Sequence, residues 1–321
     1  MSADKNIDYI LTHCGALRES ESLIILCDNT TRDLGEAFKS QAVNITRQAN
    51  LIEIPLANKH GEEPPLYVQK LMSQASMVVS LCKYSLAHSK ARIEAASHGA
   101  RFLSMPCYSW DLLNDPAVTL DFKSQAPIVK RIADAFTAGS FVYVTTRSGT
   151  DIAMDIRSRK GNCCPGFVSQ PGELGSPPDI EANVSPLEDE SKGSIVVDGS
   201  ITCPEIGLLE QSVRLALKVG KVQKIESKNK YYVEALNRIF GELDSKRRVL
   251  AECGVGLNPL AKLSGVMLTD EGALGGVHFG FGSNHTVGGK NEVDFHLDFV
   301  VRTANLMVDK VFILKDGELM I

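Results

Sequence analysis

Three of the seven histidines of this 321-residue chain lie in one glycine-rich stretch, VHFGFGSNHTVGGKNEVDFHLD, which runs from Val277 to Asp298. In an extended strand, residues i and i+2 point to the same face, so His296 and Asp298 would present an imidazole and a carboxylate side by side. His278 is flanked by apolar residues in the same alternating way, and His285 lies on the intervening turn. Imidazole with carboxylate suits Zn, Fe, Mn or Co better than Ca or Mg. The stretch therefore predicts a metal site held by His278, His296 and Asp298, with His285 as a loop residue, a further ligand or a proton shuttle.

Two further kinds of residue have the chemistry for a catalytic or binding role. Glu271 of the sequence TDEG is a turn carboxylate that has the chemistry of a general base. Ser89, Lys90 and Arg92 stand near the start of a helix that follows a strand, where open α/β sheets commonly bind ligands. They are candidates for contacting an anionic substrate group, and a basic helix face in water explains them equally well.

The composition excludes several classes of protein. Hydrophobic residues make up 44% and charged residues 23% of the chain, the formal net charge is −5, and no apolar run is long enough for a membrane span. No Lys/Arg block is interleaved with aromatic residues, so nucleic acid is not an expected partner. The start MSADKNIDYI lacks the features of a secretory signal, and the eight cysteines include no CxxC pair, which favours reduced thiols. We therefore expect a cytoplasmic protein that binds neither nucleic acid nor membranes.

The elements that position these residues change in character along the chain. In the first part, short apolar runs at residues 22–28, 49–56, 76–82 and 101–107 alternate with helical patterns, of which the clearest cover residues 85–100 and 127–139. This alternation is typical of βαβ units on a parallel sheet. It predicts an α/β domain over residues 1–139.

After residue 139 the pattern becomes that of antiparallel sheet. Hairpins are predicted around Val219-Gly220 and Asp316-Gly317, and a helix over residues 229–243. Residues 161–192 are rich in proline, glycine and acidic side chains, which predicts a linker or a functional loop without a core element. The sequence thus predicts a mainly antiparallel β-rich (α+β) domain over residues 140–321, which carries the metal site and the catalytic residues.

The motifs of the second half occur in a recognisable order. The stretch LAECGVGLNPLAKLSGVMLTDEGALGGVHFGFGSNHTVGGKNEVDFHLDF, preceded by QPGELGSPP, resembles the metal-binding region of the M29 metallo-aminopeptidase (aminopeptidase T) family. In that family a glutamate before a GxGxNP turn, a histidine in HxxxG, a closing HxD and the glutamate of a PxGE loop bind metal. The resemblance implies that Glu173, Glu252, His278, His296 and Asp298 are metal ligands and that the protein is a homo-oligomer.

A segment of the first half resembles a related branch. SLAHSKARIEAASHGARFLSMP is similar to the N-terminal α/β domain of proteins that include the 2,5-dihydroxypyridine ring-cleaving dioxygenases. That resemblance implies one non-haem iron, held by a His-x-Asp pair with a further histidine and a serine. The two resemblances therefore imply two different chemistries on one metal-binding region.

Glu252 and His285 bear on the choice between hydrolysis and ring cleavage. Glu252 favours hydrolysis, because a close pair of metal ions needs a bridging carboxylate. The aminopeptidases, however, carry a tyrosine seven residues beyond the first histidine of this region, where the chain has His285, and His285 would then replace it as the acid. We expect a metal-dependent hydrolase that acts on a peptide or amide-like small substrate with Zn, Co or Mn, up to two ions per chain. A mononuclear Fe(II) ring-cleaving dioxygenase is the alternative, and a non-catalytic metal- or ligand-binding protein is the third hypothesis.

Overall fold

The computed structural model describes residues 3–321, which form two compact units. The first unit comprises residues up to 123 together with 164–178, and the second comprises residues 124–163 and 179–321. The units are therefore interleaved along the chain, since residues 164–178 return to the first unit. The domain boundary predicted after residue 139 stays a prediction.

The first unit is an α/β structure around one parallel sheet. Its strands are β1 (Ser22–Cys27), β2 (Gln48–Glu53), β3 (Met77–Ser80), β4 (Arg101–Ser104) and β8 (Leu174–Gly175). Its helices are α1 (Ala3–Tyr9), α2 (Arg32–Ala42), α3 (Leu66–Gln74), α4 (Lys90–Ser97) and α5 (Trp110–Leu113), with a π-helical turn at Ile10–Cys14 and a 3₁₀ turn at Pro116–Thr119. The sheet order is β2-β1-β3-β4-β8 and every pairing is parallel, which confirms the predicted fold of this part.

Helix α4 is shorter than its sequence pattern predicts. It begins at Lys90 because Ser89 caps it, with the Ser89 hydroxyl accepting a hydrogen bond from the Arg92 backbone N–H. It ends before Gly99, whose φ of +95° suits a glycine just beyond a helix.

The second unit contains the antiparallel sheets that the sequence predicts. Its helices are α6 (Phe122–Ala138), α7 (Lys230–Phe240) and α8 (Met267–Asp270), with a 3₁₀ turn at Lys246–Arg248. One sheet has the order β14-β13-β10-β6-β5-β18-β19-β20, with β5 (Phe141–Thr146), β6 (Asp151–Asp155), β10 (Lys192–Val197), β13 (Val213–Lys218), β14 (Lys221–Ser227), β18 (Ala304–Val308), β19 (Val311–Lys315) and β20 (Glu318–Leu319). The other, here called the site sheet, has the order β12-β11-β17-β16-β15-β9-β7, with β7 (Asn162–Cys164), β9 (Glu181–Val184), β11 (Ser200–Ile201), β12 (Gly207–Leu208), β15 (Leu250–Gly256), β16 (Val277–Gly282) and β17 (His296–Val301).

Local sequence explains the two predicted hairpins. Val219 and Gly220 join β13 to β14 with φ values of +51° and +66°, and Asp316 and Gly317 join β19 to β20 with +47° and +80°. Two successive positive φ values are those of the tight turns that match strand twist. Both hairpin predictions are confirmed.

Two other predictions for this part are wrong. Helix α6 begins at Phe122, so Pro127 lies inside it and does not start it. A proline there removes the hydrogen bond to the Lys123 carbonyl and crowds that carbonyl, a cost that this 17-residue helix tolerates close to its start. Residues 161–192 do contribute a core element, because β9 is fully buried within the site sheet. The apolar content of this segment is low because its buried positions include polar side chains.

One face of the site sheet is an aromatic core. Phe281 and Phe299 lie edge to face with ring centroids 5.2 Å apart, and Phe240 of α7 stacks on Phe299 at 5.6 Å. All three rings are fully buried. This packing fixes β16 and β17 from behind and leaves their other face for polar side chains. None of the helices in residues 3–321 combines the length and apolar character that a membrane crossing requires.

Candidate metal centre

Neighbouring strands of the site sheet bring the predicted ligands of the second unit together. Glu252 on β15 is paired with Gly280 on β16, and Gly280 is paired in turn with Asp298 on β17. His278 and His296 each lie two residues from a member of this row, so all of these side chains share one face of the sheet. Antiparallel register thus converts positions far apart in the sequence into one cluster.

A first group of possible metal ligands consists of Glu252, His296 and Asp298, whose ligand atoms lie within 4.8 Å of one another. Nε2 of His296 is 3.3 Å from Oδ1 of Asp298 and 3.5 Å from Oε2 of Glu252. The carboxylates are buried, whereas the His296 side chain is 32% exposed. The group therefore has one accessible side.

A second group consists of Glu181, Glu252 and His278. Nε2 of His278 is 2.9 Å from Oε2 of Glu181 and 3.8 Å from Oε1 of Glu252. All three side chains are buried. Because Glu252 belongs to both groups, its two oxygens face two neighbouring positions at which a cation would fit.

Glycines leave the space in which the imidazoles lie. A Cβ added at Gly254 would be 2.0 Å from Nε2 of His278. A Cβ added at Gly280 would be 2.7 Å from Nε2 of His296 and 2.9 Å from Oδ1 of Asp298. Real side chains do not tolerate such contacts, so the glycines of this region are required by close packing against the ligands.

The clustered charges shift the pKa values of both imidazoles upward. Burial lowers the pKa of His296, but the carboxylates of Asp298 and Glu252 outweigh it and raise the pKa to about 10. Burial likewise acts to lower the pKa of His278, and Glu181 together with Glu252 raises it well above its ordinary range. Excess negative charge in a buried site is what a bound cation would neutralise.

The carboxyl groups respond in opposite directions. Burial acts to raise the pKa of Asp298, but the charge and hydrogen bond of His296 hold it at about 2. Burial raises the pKa of Glu252, and His278 only partly offsets that effect. Asp298 is therefore the carboxylate most firmly kept in its charged, ligating form.

The donor atoms of the two groups fit a metal ion to different degrees. Nδ1 of His296 is 2.8 Å from the carbonyl oxygen of Ser283, which accepts its proton and leaves Nε2 for a ligand bond. Oε2 of Glu181 is buried and lies 2.9 Å from Nε2 of His278, so both atoms face the position that a cation would take. Nδ1 of His278, however, has no hydrogen-bond partner among the described residues. The group around His296 is thus the better prepared for a metal ion.

The two predicted catalytic residues lie on the second unit. Glu271 hydrogen-bonds to Asp298, and burial followed by the charge of Asp298 raises the pKa of Glu271 well above its usual value. The protonated form of Glu271 is therefore favoured beside a candidate ligand when no metal is bound. His285 is exposed, and its Nδ1 lies 2.8 Å from the Ser283 hydroxyl.

The remaining predicted residues belong to the first unit. The carboxylate of Glu173 accepts hydrogen bonds from the backbone N–H groups of Ser169 and Gln170, at 2.6 and 2.8 Å. Glu173 is in neither ligand group of the described chain. Three other candidates surround the start of α4: Ser89 is its buried cap, Lys90 is exposed, and Arg92 is half-buried with Nε bonded to the Ala87 carbonyl.

Glu181 is a candidate ligand that the sequence motifs do not predict. It lies on β9, whose pairing with β15 places it opposite Gly256. The available signal is weak: Glu181 and Asn183 alternate with apolar residues, and Asn183 donates a hydrogen bond to Oε1 of Glu181 at 2.6 Å. Asp179, equally unpredicted, is buried nearby with one oxygen unpaired, and burial followed by the charge of Glu181 raises its pKa well above normal.

Comparison with known proteins identifies relatives of the whole chain. Residues 9–321 match the family model NicX, described as 2,5-dihydroxypyridine 5,6-dioxygenase. Among solved structures, a 2,5-dihydroxypyridine dioxygenase from Pseudomonas putida KT2440 is similar with a TM-score of 0.85 at 18% identity, covering 99% of this chain and 96% of that one. Wild-type AmpT from Thermus thermophilus is similar with a TM-score of 0.74 at 13% identity, covering 99% of both chains. No curated protein sequence matches the chain.

Both families that the sequence motifs resemble are thus represented among these relatives. At 18% and 13% identity the two structures show a shared fold. The predicted fold class, a parallel α/β part followed by a mainly antiparallel part, is confirmed.

Proposed function

Because the chain belongs to the family described as 2,5-dihydroxypyridine 5,6-dioxygenase, we propose that it is a metal-dependent ring-cleaving dioxygenase that acts on a hydroxylated pyridine. The observation that carries the proposal is the match of the family model over residues 9–321. This match supports ring cleavage better than hydrolysis, which the sequence motifs favour first. The geometry adds support, since one ligand group is better prepared for an ion than the other.

The residues that would hold the ion are Glu252, His296 and Asp298. Imidazole together with carboxylate oxygens suits a divalent transition metal such as Fe(II), and three protein ligands leave positions open for other molecules. When bound, the iron supplies the one-electron chemistry that a reaction with dioxygen requires. The exposed side of His296 is the side from which a small aromatic molecule would approach.

The chain's own groups then have separate tasks. The Ser283 carbonyl holds the proton of His296 at Nδ1 and so keeps Nε2 directed at the ligand carboxylates. His285, fixed at Nδ1 by the Ser283 hydroxyl, is the group that would accept the proton of a substrate hydroxyl. Glu271, which hydrogen-bonds to Asp298, would hold that carboxylate in place.

Oxygen uptake tests the proposal directly. The purified chain is loaded with Fe(II) under anaerobic conditions, mixed with 2,5-dihydroxypyridine, and followed by an oxygen electrode and by the loss of the aromatic absorbance. We expect the wild-type chain to consume one dioxygen for each ring opened. The rate of oxygen uptake in Asp298→Asn should be less than about one hundredth of the wild-type rate. Asp134→Asn, which changes an exposed carboxylate paired with Lys130, is the matched control and should keep full activity. A folded, iron-loaded wild-type chain that opens no dihydroxypyridine ring would refute the proposal.

The second candidate function is a two-metal hydrolase, and the observation that favours it is the shared ligand Glu252. Ions at both groups would be bridged by this carboxylate, as a pair of metal ions acting on one carbonyl requires. Its test is a metal analysis together with an aminoacyl p-nitroanilide assay after loading with Zn, Co or Mn. Two ions per chain and release of nitroaniline would support it, whereas one ion per chain and no release would exclude it.

A further inference from the structure

The loop between β16 and β17, residues 283–295, is held by a polar network that leads to the metal-binding imidazole. We call it the site loop. It supplies the Ser283 carbonyl that accepts the Nδ1 proton of His296 at 2.8 Å. The position of this carbonyl therefore decides which nitrogen of His296 faces Asp298.

Asn284, the next residue, uses all of its polar groups inside the protein. The side chain is fully buried. Its amide donates to the Ser185 hydroxyl at 2.9 Å and to Oε1 of Glu188 at 3.0 Å, while its Oδ1 accepts from the Asn291 backbone at 2.7 Å. Its backbone carbonyl accepts from Val287 and Gly289. A buried amide this fully bonded fixes the loop around it, because any shift breaks several bonds at once.

The site loop also packs so closely around the Asn284 side chain that this side chain has no room to move. A Cβ at Gly289 would lie 2.0 Å from Cγ of Asn284. No side chain larger than glycine is compatible with that contact. The loop and the Asn284 side chain therefore form one packed unit.

An ion pair between Arg159 and Glu188 anchors the site loop to the rest of the second unit. Arg159 and Glu188 are paired at 2.6 Å, and Arg159 is only 7% exposed. Glu188 also accepts from the Lys290 backbone N–H at 2.6 Å, and Arg159 donates to the Gly288 carbonyl. A partly buried pair with these additional hydrogen bonds has a defined geometry, unlike an exposed ion pair.

We propose that Asn284 is a positioning residue, whose amide, held by the Arg159–Glu188 pair, fixes the Ser283 carbonyl and thereby the orientation of His296 for metal binding. The inference rests on the metal site of the proposed function and not on ring cleavage. Asn284 contacts neither candidate ligand group directly in the described chain and acts only through Ser283.

The test replaces the donor without changing its shape. Asn284→Asp removes both amide protons and sets a carboxylate against Glu188. We expect metal affinity, measured by competition with a chromophoric chelator, to fall about 10- to 100-fold, the usual cost of losing support behind a metal-bound imidazole. Asn6→Asp, a buried asparagine of the first unit that donates to the Leu113 carbonyl, is the matched control and should leave the affinity unchanged.

A spectroscopic measurement separates positioning from general destabilisation. In the Zn(II)-loaded wild type, ¹⁵N NMR should show a proton bound at Nδ1 of His296 and exchanging slowly, and in Asn284→Asp this proton should exchange fast. Ser185→Ala, which removes a single acceptor of the amide, should give a smaller loss in the same direction and serves if Asn284→Asp does not fold.

The inference would be overturned if Asn284→Asp kept wild-type metal affinity and a slowly exchanging Nδ1 proton. If that variant is unfolded, the same result in Ser185→Ala would overturn it. In either case the proposed function would stay intact. A wild-type chain that binds no metal would instead overturn the proposed function.

Discussion

Replacing Gly280 by alanine is the sharpest single perturbation of the candidate metal centre. Gly280 has no positive φ, so alanine adds no backbone strain there. The new Cβ would lie 2.7 Å from Nε2 of His296 and 2.9 Å from Oδ1 of Asp298. The effect is therefore confined to the contact between the strand and the ligands that lie over it.

The size of the effect follows from these distances. Ordinary van der Waals contact begins at 3.4 Å, so Nε2 of His296 must retreat by about 0.7 Å and Oδ1 of Asp298 by about 0.5 Å if the strand stays in place. Metal–ligand bonds tolerate about 0.2 Å, and a functional site about 0.5 Å. We expect metal affinity to fall about 10- to 100-fold and the free energy of unfolding of the metal-free protein to fall by about 1–3 kcal/mol.

The assay compares the metal dissociation constant with the unfolding midpoint. Gly61→Ala is the control, because Gly61 has a φ of +78° and open space around its Cβ position. Alanine there should cost stability, about 1–2 kcal/mol, without changing metal affinity. A folded Gly280→Ala protein that binds metal within about threefold of wild type would refute the assignment of His296 and Asp298 as ligands.

Gly254→Ala is the companion variant for the second ligand group. Its Cβ would lie 2.0 Å from Nε2 of His278. If the enzyme uses one ion at the His296 group, as proposed, this variant should retain its iron. Loss of one of two bound ions would instead support the two-metal hydrolase.

Three further predictions concern other groups of the chain. Glu252→Gln, which neutralises the carboxylate shared by both ligand groups, should weaken metal binding at least about tenfold, and metal content unchanged after dialysis would remove Glu252 from the site. The pKa of His296 is raised from 6.5 to about 10 in the metal-free fold, so its contribution to stability is complete below pH 6.5 and is lost as the pH rises toward 10. Melting curves of the metal-free protein should show this decline in stability. Metal affinity should rise over the same pH range, because protons cease to compete with the metal for His296. Glu173→Gln should keep its bound metal, because the Glu173 carboxylate is engaged by backbone N–H groups, and a metal-free variant would show instead that Glu173 is a ligand, as its sequence motif implies.

The features predicted correctly from the sequence are those that local rules decide. The parallel strands of the first unit follow from short apolar runs, and the two hairpins follow from turns at Val219-Gly220 and Asp316-Gly317. The period of two in FHLDF places His296 and Asp298 on one face because strand geometry alone requires it. These features involve residues that are neighbours in the chain.

The chemistry predicted first is a case in which motifs were insufficient. Glu252 and the order of the C-terminal motifs favour a hydrolase, whereas the family match supports a dioxygenase better. Both functions can use the same carboxylate and imidazole ligands on the same face of a sheet. Residue types alone do not distinguish one bound ion from two, because that depends on which imidazole has its second nitrogen supported.

The sequence by itself determined the strands, the turns and the placement of His296 and Asp298 on one face of a strand. Each of these depends on spacing within a few positions. Only the tertiary structure selected Glu181 for the ligand cluster, because the pairing of β9 with β15 joins segments about seventy residues apart. It also showed why Gly254 and Gly280 must be glycine, since the imidazoles that lie over them come from neighbouring strands. Strand register, which no short motif encodes, brings these side chains into one site.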